Sequence, residues 1–499
     1  MRIISFYLLI VLVTICLTSC NKTSDTVQYS DFLQLHPENP HYLMYEGKPI
    51  LIVTSSEHYG AVLNLDFDYK TYLKALNEDG MNMTRAFTGT YVENPESFGI
   101  LFNTLAPKGT SFICPWARSD VPGYKAGGNK FDLDKWDDGY FNRLKDFVSV
   151  AKDNGIMVEV TLFSSIYNDK SWTFCPLDHD NNINQTDTID RKNVHTPDNG
   201  NLMSFQEKVV KKIVQELKDF PNVFYEIQNE PWADNTARNF WLNPNDSSAT
   251  PGNWRYNVEI ASDAALEWQK KVTSWIVDAE QDFENKHLIA QNYCNFYYPV
   301  EEVDSNISIM NFHYAWPQAV HMNYGYNRVI SFDEDGFKGD DPAPYRKNAW
   351  NFMLAGGGIY DNLDYSFFVG AEDGSGINTA PGHGSAVLRS QLAFLKEFLE
   401  SFDFIHLKPD PSVVKLPPGT FPQVLANHGK EYAIYLDGGT QCDLQLYIPP
   451  GKYMATWINP VSFETEKEVE IINNIDQVTL ASPEYDGEIA LKIAKVNTH

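Results

Sequence analysis

Between residues 49 and 402 the sequence alternates repeatedly between short apolar runs and longer amphipathic segments. The apolar runs predict buried strands at 49–56, 81–87, 156–163, 222–228, 287–293, 307–314, 328–334 and 358–368. The amphipathic segments predict helices at 69–80, 139–155, 204–220, 258–281, 343–355 and 386–402. Such an alternation indicates a parallel sheet, and eight strands favour a (β/α)8 TIM barrel over an open doubly wound sheet, which remains the alternative.

Two local signals suggest where individual helices begin and end. Ser204 and Glu207 have the spacing of a capping box, so we expect the helix in this region to begin at Ser204. Gly155 and Gly356 directly follow amphipathic segments, in the position that glycine often takes after a helix.

The character of the sequence changes after about residue 408. Residues 412–497 contain short alternating strands separated by turn residues, a pattern typical of a small antiparallel β-sandwich. A chain of 499 residues also exceeds what one hydrophobic core usually organises. We therefore predict two domains, a barrel over residues 35–408 and a sandwich over residues 409–499.

The first twenty residues place one arginine before an apolar run and end in Leu17-Thr18-Ser19-Cys20. This ending resembles the lipobox of bacterial lipoproteins, in which the cysteine is acylated and becomes the new N-terminus. We predict a signal peptide over residues 1–20, lipidation at Cys20 and a polar tether over residues 21–34. The protein would then be exported and held at a bacterial membrane, periplasmic or cell-surface, by its lipid alone. The alternative is a plain signal peptide with an incidental cysteine.

The net charge of −27 disfavours nucleic-acid partners, which bind basic surfaces. The acidic segment 333–341 does not match an EF-hand loop, because Gly336 stands at its fourth position instead of its sixth. Neither a close histidine pair for zinc nor a G-x-S-x-G sequence for a serine hydrolase occurs. The cysteines beyond the leader lack zinc-ligand spacing and leave one loop disulfide possible: Cys114, Cys175, Cys294 and Cys442. We expect no metal and no cofactor; the oligomeric state stays open.

Active sites of (β/α)8 barrels form at the carboxyl ends of the strands. The predicted strand ends carry Glu57, His58, Arg85, Asn229, Glu230, His313, Tyr314, Asp333, Glu334 and Asp335. Two facing carboxyl groups are what glycosidic cleavage needs, since one protonates the leaving oxygen while the other attacks the anomeric carbon. Glu230 and Glu334 are the expected pair. Asp333 and Asp335 remain rivals of Glu334, because a slip of one residue turns a strand side chain to the other face.

Asn229-Glu230-Pro231 at the end of strand four, with Glu334 at the end of strand seven, resembles the clan A retaining glycoside hydrolases. The resemblance covers roughly residues 35–497. It is nearest to Bacteroidetes-type lipoproteins, cellulase-like or apiosidase-like, whose C-terminal β-sandwich resembles a module named for collagen binding. It implies that Glu230 is the acid/base and Glu334 the nucleophile.

The resemblance also implies substrate-binding roles around the two acids. Asn229 would bind the substrate 2-hydroxyl, and Arg85, His313 and Tyr314 would hold the nucleophile or the sugar attached to it. Arg85 as a structural ion pair and His313 as a core histidine are the alternatives. Strand eight departs from the family pattern, because many members place a tryptophan platform there. This chain offers Tyr365 and Phe367 instead.

Further residues near the predicted site have weaker assignments. His58 and Trp232 are expected to bind substrate, although Trp232 could serve packing alone. Glu159 and Glu226, inside strands three and four, are expected in the barrel interior. Long loops after strands two, three and four carry aromatic residues that would wall a cleft and stack on sugars: Tyr91, Trp116, Tyr167, Trp172, Phe174, Trp241 and Trp254.

The sequence therefore predicts a retaining glycoside hydrolase that cleaves β-linked plant or microbial glycans, with an oligo- or polysaccharide as its partner. Two alternatives belong to other classes. One is a glycan-binding surface lipoprotein without activity, and the other is an adhesin that acts through its β-sandwich.

Overall fold

The computed structural model describes residues 30–243, 245, 253–377, 381–382 and 384–496. Within them, eight parallel strands form a barrel: β1 (Ile52–Ser56), β2 (Met83–Phe87), β3 (Met157–Ser164), β4 (Val223–Asn229), β5 (Leu288–Asn295), β6 (Ile309–His313), β7 (Val329–Asp335) and β8 (Ile359–Leu363). The surrounding helices are α1 (Tyr69–Glu78), α2 (Asp138–Asp153), α3 (Leu202–Leu217), α4 (Asp263–Ala279), α5 (Pro317–Asn323), α6 (Pro342–Leu354) and α7 (Ala386–Glu400). The strands are hydrogen-bonded in the order 1-8-7-6-5-4-3-2, which confirms the predicted TIM barrel.

Polar side chains complete the barrel between β1 and β2. Thr54 Oγ1 donates a hydrogen bond to the Met83 carbonyl oxygen at 2.7 Å. Asn82 donates through Nδ2 to the Leu51 carbonyl at 2.7 Å and accepts through Oδ1 from the Val53 amide at 3.2 Å. These side chains bond backbone groups between the two end strands of the ladder, and so they hold the first strand beside the second.

A small antiparallel sheet, which the sequence pattern did not predict, covers the amino ends of the barrel strands. Its strands are Gln34–Leu35, Leu43–Tyr45 and Lys48–Ile50. Leu33 and Leu43 are buried in a cluster with residues at or near the start of several barrel strands, among them Ile52, Met83, Phe224 and Ile309. This apolar plug closes one end of the barrel, so the carboxyl ends of the strands form the accessible end.

Three predicted boundaries were wrong. Helix α3 begins at Leu202, and Ser204 Oγ bonds back to the Asn201 carbonyl at 3.0 Å instead of forming a capping box. The helix predicted at 258–281 begins at Asp263, because Asn257–Ala261 pairs with Thr236–Trp241 as a hairpin. The last barrel strand ends at Leu363, so Tyr365 and Phe367 lie beyond it.

The C-terminal part forms two antiparallel sheets, which confirms the predicted β-sandwich; its likeness to a collagen-binding module remains a prediction. In the described residues 408–496, one sheet has the strands Lys408–Pro409, Phe421–Asn427, Glu431–Asp437, Glu488–Lys495, Gly451–Ile458 and Thr465–Asn473. The other has Val414–Lys415, Asp443–Leu446 and Val478–Ala481. They share a core that includes Tyr432, Tyr453 and Trp457.

The signal peptide, Cys20 and residues 21–29 of the tether lie outside the described residues. In the part of the chain that is described, no helix combines the length and the apolar character needed to cross a membrane. Cys114, Cys175, Cys294 and Cys442 are free thiols there, and the first three are buried.

Candidate active site

Polar side chains gather where the barrel strands end. Arg85 from β2, His313 from β6 and Glu334 from β7 are buried, and Glu230 directly follows β4. Glu230 is 9% exposed, which excludes a solvated loop acid at this position. The connections after β2, β3 and β4 are long, as the sequence predicts, and they supply further groups around these four residues.

The three consecutive acids at the end of β7 contact three different sets of partners. Asp333 Oδ2 accepts a hydrogen bond from Asn311 Nδ2 at 2.7 Å inside the barrel. Asp335 accepts one from Asn348 on α6 at 2.9 Å. Glu334 is the one that lines a cavity at the strand ends. The pairing of β7 with both neighbours is irregular here, and such a bulge redirects side chains.

Glu230 stands where β4 leaves the barrel wall, with a φ of 49° in the left-handed region. Its Oε2 accepts a hydrogen bond from the Tyr167 hydroxyl at 2.7 Å, and its carbonyl oxygen accepts one from Ser165 Oγ at 2.6 Å. Tyr59 and Tyr314 have the same backbone conformation, with φ of 58° and 50°, after β1 and β6. Residues other than glycine adopt this conformation at a cost, commonly at functional sites.

Glu334 is surrounded by hydrogen-bond donors and positive charge. Its carboxylate accepts from the Tyr59 hydroxyl at 2.9 Å, the Tyr314 hydroxyl at 2.7 Å and Arg85 Nη1 at 3.4 Å. Burial raises the pKa of Glu334, but the charge and hydrogen bond of His313, the charge of Arg85 and the hydrogen bond from Tyr314 outweigh it. The pKa of Glu334 therefore lies well below its usual range, and the carboxylate stays ionised.

His313 contacts both acids of the predicted pair. Its Nδ1 lies 3.0 Å from Glu230 Oε1 and 3.6 Å from Glu334 Oε1, while Nε2 lies 3.4 Å from Asp333 Oδ1. Burial lowers the pKa of His313, but the carboxylates of Asp333 and Glu334 and the bond to Glu230 raise it well above its usual value. The imidazole is thus a cation shared by three acids. His313 is therefore not the core histidine bonded to backbone that the sequence left as an alternative.

Arg85 combines the two roles that the sequence left as alternatives. Its guanidinium donates to Glu226 Oε2 at 2.6 Å and lies 3.5 Å from Glu159 Oε2, both in the barrel interior. It also donates to Asn229 Oδ1 at 2.9 Å, besides its contact with Glu334. A single buried charge therefore joins the interior network to the groups at the strand ends.

Two cavities adjoin Glu230, and we name them by their position. The inner cavity, about 40 Å³, is lined by Glu230 and Glu334 together with His58, Tyr91, Glu93 and Leu105. The outer cavity, about 250 Å³, is lined by Glu230, Trp232, Trp254, Glu259 and Asn295, but not by Glu334. Both are also lined by Phe98, Tyr167, Tyr314 and Phe337, which form their common border.

The other residues predicted to bind substrate, His58 and Trp232, and the two aromatic residues after β8 lie in different surroundings. His58 lines the inner cavity, with Nε2 3.2 Å from Glu93 Oε2. Trp232 is 2% exposed and packs edge-on against the His313 ring at 5.3 Å, so it supports the histidine besides bordering the outer cavity. Beyond β8, Tyr365 lies 5.8 Å from the His58 ring, whereas Phe367 packs against Tyr72.

The aromatic residues of the long loops divide into two groups. Tyr91, Tyr167 and Trp254 line the cavities. The others do not line either one: Trp116, Trp172 and Phe174 pack into or against the core, and Trp241 is exposed. Fewer than half of these aromatic residues therefore lie where they could stack on a sugar, and the stacking itself remains a prediction.

Sequence reasoning missed several residues that line the cavities, among them Tyr59, Glu93 and Glu259. Tyr59 directly follows His58, so its place at a strand end was a usable signal. Tyr167 was noted as a loop aromatic but not as a partner of Glu230. Glu93 and Glu259 come from loops after β2 and β4, where no pattern in the sequence links a position to the site.

Among the described residues, three groups of side chains have ligand atoms close enough together for a metal ion; one is Asp178, His179 and Asp180, and the other two lie at the strand ends. Glu230, His313 and Glu334 form one, and Glu226, His313 and Asp333 form the other. His313 belongs to both of these: its Nδ1 faces Glu230 and Glu334, and its Nε2 faces Asp333.

No protein-family model matches the sequence, and a comparison with curated proteins gives no match. Solved structures match it over most of its length. The match with a candidate glycoside hydrolase from Bacteroides vulgatus covers 94% of this chain and 83% of that one, with a TM-score of 0.64 at 14% identity. The match with a family 5 glycoside hydrolase from the same species covers 94% of this chain and 95% of that one, with a TM-score of 0.59 at 13% identity. The chain shares the fold of these glycoside hydrolases.

At this sequence identity the likeness concerns the fold. A further protein described as a glycoside hydrolase has a TM-score of 0.58 at 13% identity, over 93% of this chain and 97% of that one. The assignment of roles to Glu230 and Glu334 must therefore rest on the geometry of the strand ends.

Proposed function

We propose that the protein is a retaining glycoside hydrolase of β-linked glycans, with Glu230 as acid/base and Glu334 as nucleophile. One observation carries the proposal. A carboxylate oxygen of Glu230 lies within 4.8 Å of a carboxylate oxygen of Glu334. Retaining enzymes hold their two carboxyl groups about 5–5.5 Å apart, whereas inverting enzymes leave about 6.5–9.5 Å for a water molecule. The spacing supports retention.

The surroundings of the two acids support different roles in a double displacement. Ionised Glu334 attacks the anomeric carbon while the glycosidic C–O bond breaks and the Glu230 proton passes to the leaving oxygen. A water molecule then gives a proton to the Glu230 carboxylate, and its oxygen displaces Glu334 from the anomeric carbon. The His313 cation, 3.0 Å from Glu230 Oε1, stabilises the carboxylate that exists between the two steps.

The fold shared with glycoside hydrolases and the aromatic border of the cavities support a saccharide substrate. Sugars present C–H faces that pack on rings such as Trp254 and hydroxyls that bond to carboxylates. Two carboxyl groups far apart would have favoured the alternative, a glycan-binding protein without activity. Their closeness argues against it.

The proposal includes an exported protein that is attached to a bacterial membrane through Cys20. This part rests on the sequence Leu17-Thr18-Ser19-Cys20 after an apolar run. The sandwich and the barrel would then lie outside the cytoplasm, where polymeric glycans are encountered.

The direct test is a screen of the purified protein against β-linked glucans, mannans, xylans and host-type glycans, with released reducing sugar as the readout. Glu334→Gln serves as the inactive control. For any substrate that is cleaved, proton NMR of the first product gives its anomeric configuration. We expect the β-anomer first. Release of the α-anomer first would overturn retention, and glycan binding with no release from any substrate would favour the non-catalytic alternative.

A further inference from the structure

Away from its border with the outer cavity, the inner cavity is lined by buried residues. The lining residues that it does not share with the outer cavity, such as His58, Tyr91, Glu93 and Leu105, are each buried. At the common border, by contrast, Phe98 is 43% exposed. Among the described residues that line the inner cavity, exposure is therefore confined to this border, and a ligand reaches Glu334 from there.

Segment 93–105 and His58 form one wall of the inner cavity, and hydrogen bonds hold this wall together. Glu93 Oε2 accepts hydrogen bonds from His58 Nε2 at 3.2 Å and from Asn103 Nδ2 at 2.5 Å. The Glu93 amide donates to the Leu105 carbonyl at 2.9 Å, which fastens the two ends of segment 93–105 together. Phe102 of this segment stacks on Phe368 at 4.5 Å, which ties it to the connection after β8.

One polar atom in this wall lacks a partner. His58 Nδ1 is buried, and no hydrogen-bond partner for it lies in the described part of the chain. A buried polar group without a partner costs about 1–3 kcal/mol, which a ligand hydroxyl in the cavity could recover. The Glu93 carboxylate beside it is an acceptor for a second hydroxyl. The wall thus has the chemistry to bind the free hydroxyls of a sugar at the end of a chain.

The two cavities differ in which acid they contain. The sugar that becomes bound to Glu334 must occupy the inner cavity, because Glu334 does not line the outer one. The leaving group departs from Glu230 into the outer cavity. The inner cavity holds about 40 Å³, roughly the space of three water molecules and less than one sugar ring needs, so a single ring already requires the walls to move apart and a second ring has no place there.

From this enclosure we infer that the enzyme acts in the exo mode, releasing one sugar unit at a time from the non-reducing end of its substrate, with His58 and Glu93 binding that terminal unit. The inference rests on the proposed hydrolase function and adds the mode of attack to it. An endo-acting enzyme needs a cleft in which the chain continues on both sides of the cleaved bond. Segment 93–105 occupies that space here.

The first test follows the products of the wild-type enzyme. Cello-, manno- and xylo-oligosaccharides of several units, labelled with a fluorophore at the reducing end, are digested and sampled from the earliest times. We expect free monosaccharide and a labelled chain that is shorter by one unit. Labelled products shorter by two or more units at the earliest time would overturn the exo mode while leaving glycoside hydrolysis intact. If no labelled chain and no glycan is cleaved, the proposed function itself fails.

The second test addresses the wall. Glu93→Gln keeps the shape of the side chain but removes its charge, and kcat/KM should fall about 10–100-fold through KM, as expected for a hydrogen bond to a charged group. Glu96→Gln is the matched control, because Glu96 lies in the same segment but pairs with Lys170 away from the cavity. Equal kinetics for the two variants would overturn the role of Glu93. If Glu93→Gln does not fold, the product pattern of the wild type decides.

Discussion

Glu230, directly after β4, and Glu334, in β7, place carboxylate oxygens within 4.8 Å of each other. The Nδ1 atom of His313 on β6 contacts both. Two carboxylates this close would repel each other, and the shared cation relieves that repulsion. Arg85 and the hydroxyls of Tyr59 and Tyr314 contact Glu334 and not Glu230, so the two acids are electrostatically unequal before any substrate arrives.

The first prediction concerns the pH dependence of stability through Glu259. Burial and then the charge of Glu230 raise the pKa of Glu259 from 4.5 to about 7. Between these values the native state keeps a proton that the unfolded chain releases, so the free energy of unfolding falls as pH rises through this window. Glu259→Gln should reduce that fall by about 1–2 kcal/mol, less than the full shift because the side chain is partly exposed.

Urea unfolding at pH 4.5, 6 and 8 measures this effect. Glu267→Gln, at an exposed position on α4, is the control for loss of an acid. Parallel pH curves for the wild type and Glu259→Gln would show that Glu259 titrates normally in the native state.

The second prediction concerns the contact between barrel and sandwich. Arg346 on α6 donates to Glu488 Oε1 through Nε at 3.2 Å and Nη2 at 2.5 Å, and both residues are buried. The Tyr435 hydroxyl donates to Glu488 Oε2 at 2.9 Å. Arg346→Ala should lower the free energy of unfolding by about 3–5 kcal/mol, because Glu488 is left as a buried charge without its cation.

Lys347→Ala is the matched control at this contact. Lys347 pairs with Asp437 at 2.9 Å, but both side chains are partly exposed. Loss of such a pair should cost about 0–1 kcal/mol. Chemical denaturation followed by tryptophan fluorescence measures both variants, and similar losses for the two would contradict the assigned importance of burial.

The barrel and the sandwich could be predicted because the alternation of apolar and polar residues depends only on near neighbours in the sequence. Buried strands and amphipathic helices each repeat within a few residues, and a barrel brings all strand ends to one face. Glu230, His313 and Glu334 were therefore predictable from their places at strand ends. The choice among Asp333, Glu334 and Asp335 was not settled by alternation, since it depends on a bulge in the β7 ladder.

The errors came where one pattern fits two structures. Val258 and Ile260 suit the start of a helix as well as one face of a strand, and the hairpin with Thr236–Trp241 decides for the strand. Ser204 and Glu207 match a capping box, yet Leu202 is already in the helix and buried. Glu93 and Glu259 come from long loops, whose path depends on tertiary contacts that a single sequence does not encode.

The third prediction concerns the membrane anchor. Cys20→Ala should release the protein from the membrane fraction of expressing cells into the soluble fraction, because a thiol is the acceptor of the lipid. Cys16→Ala is the control, since Cys16 lies within the apolar run of the same leader. Fractionation and immunoblotting measure the distribution. A Cys20→Ala protein that stays in the membrane fraction like the Cys16→Ala protein would refute lipidation at Cys20.

The last prediction separates the two acids by their roles. Glu230→Ala should slow cleavage of substrates with poor leaving groups by at least about 10²–10⁴-fold, the usual contribution of general acid–base catalysis. Activated aryl glycosides need little protonation, so they should still form the covalent intermediate, whose breakdown is slow because the base is missing. Added azide, which needs no base, should restore turnover and give a glycosyl azide.

Glu334→Ala should lose activity on every leaving group, since no leaving group replaces an absent nucleophile. Pre-steady-state kinetics with a series of aryl glycosides measures both effects. Equal losses in the two variants on all leaving groups, without azide rescue of Glu230→Ala, would contradict the assigned roles.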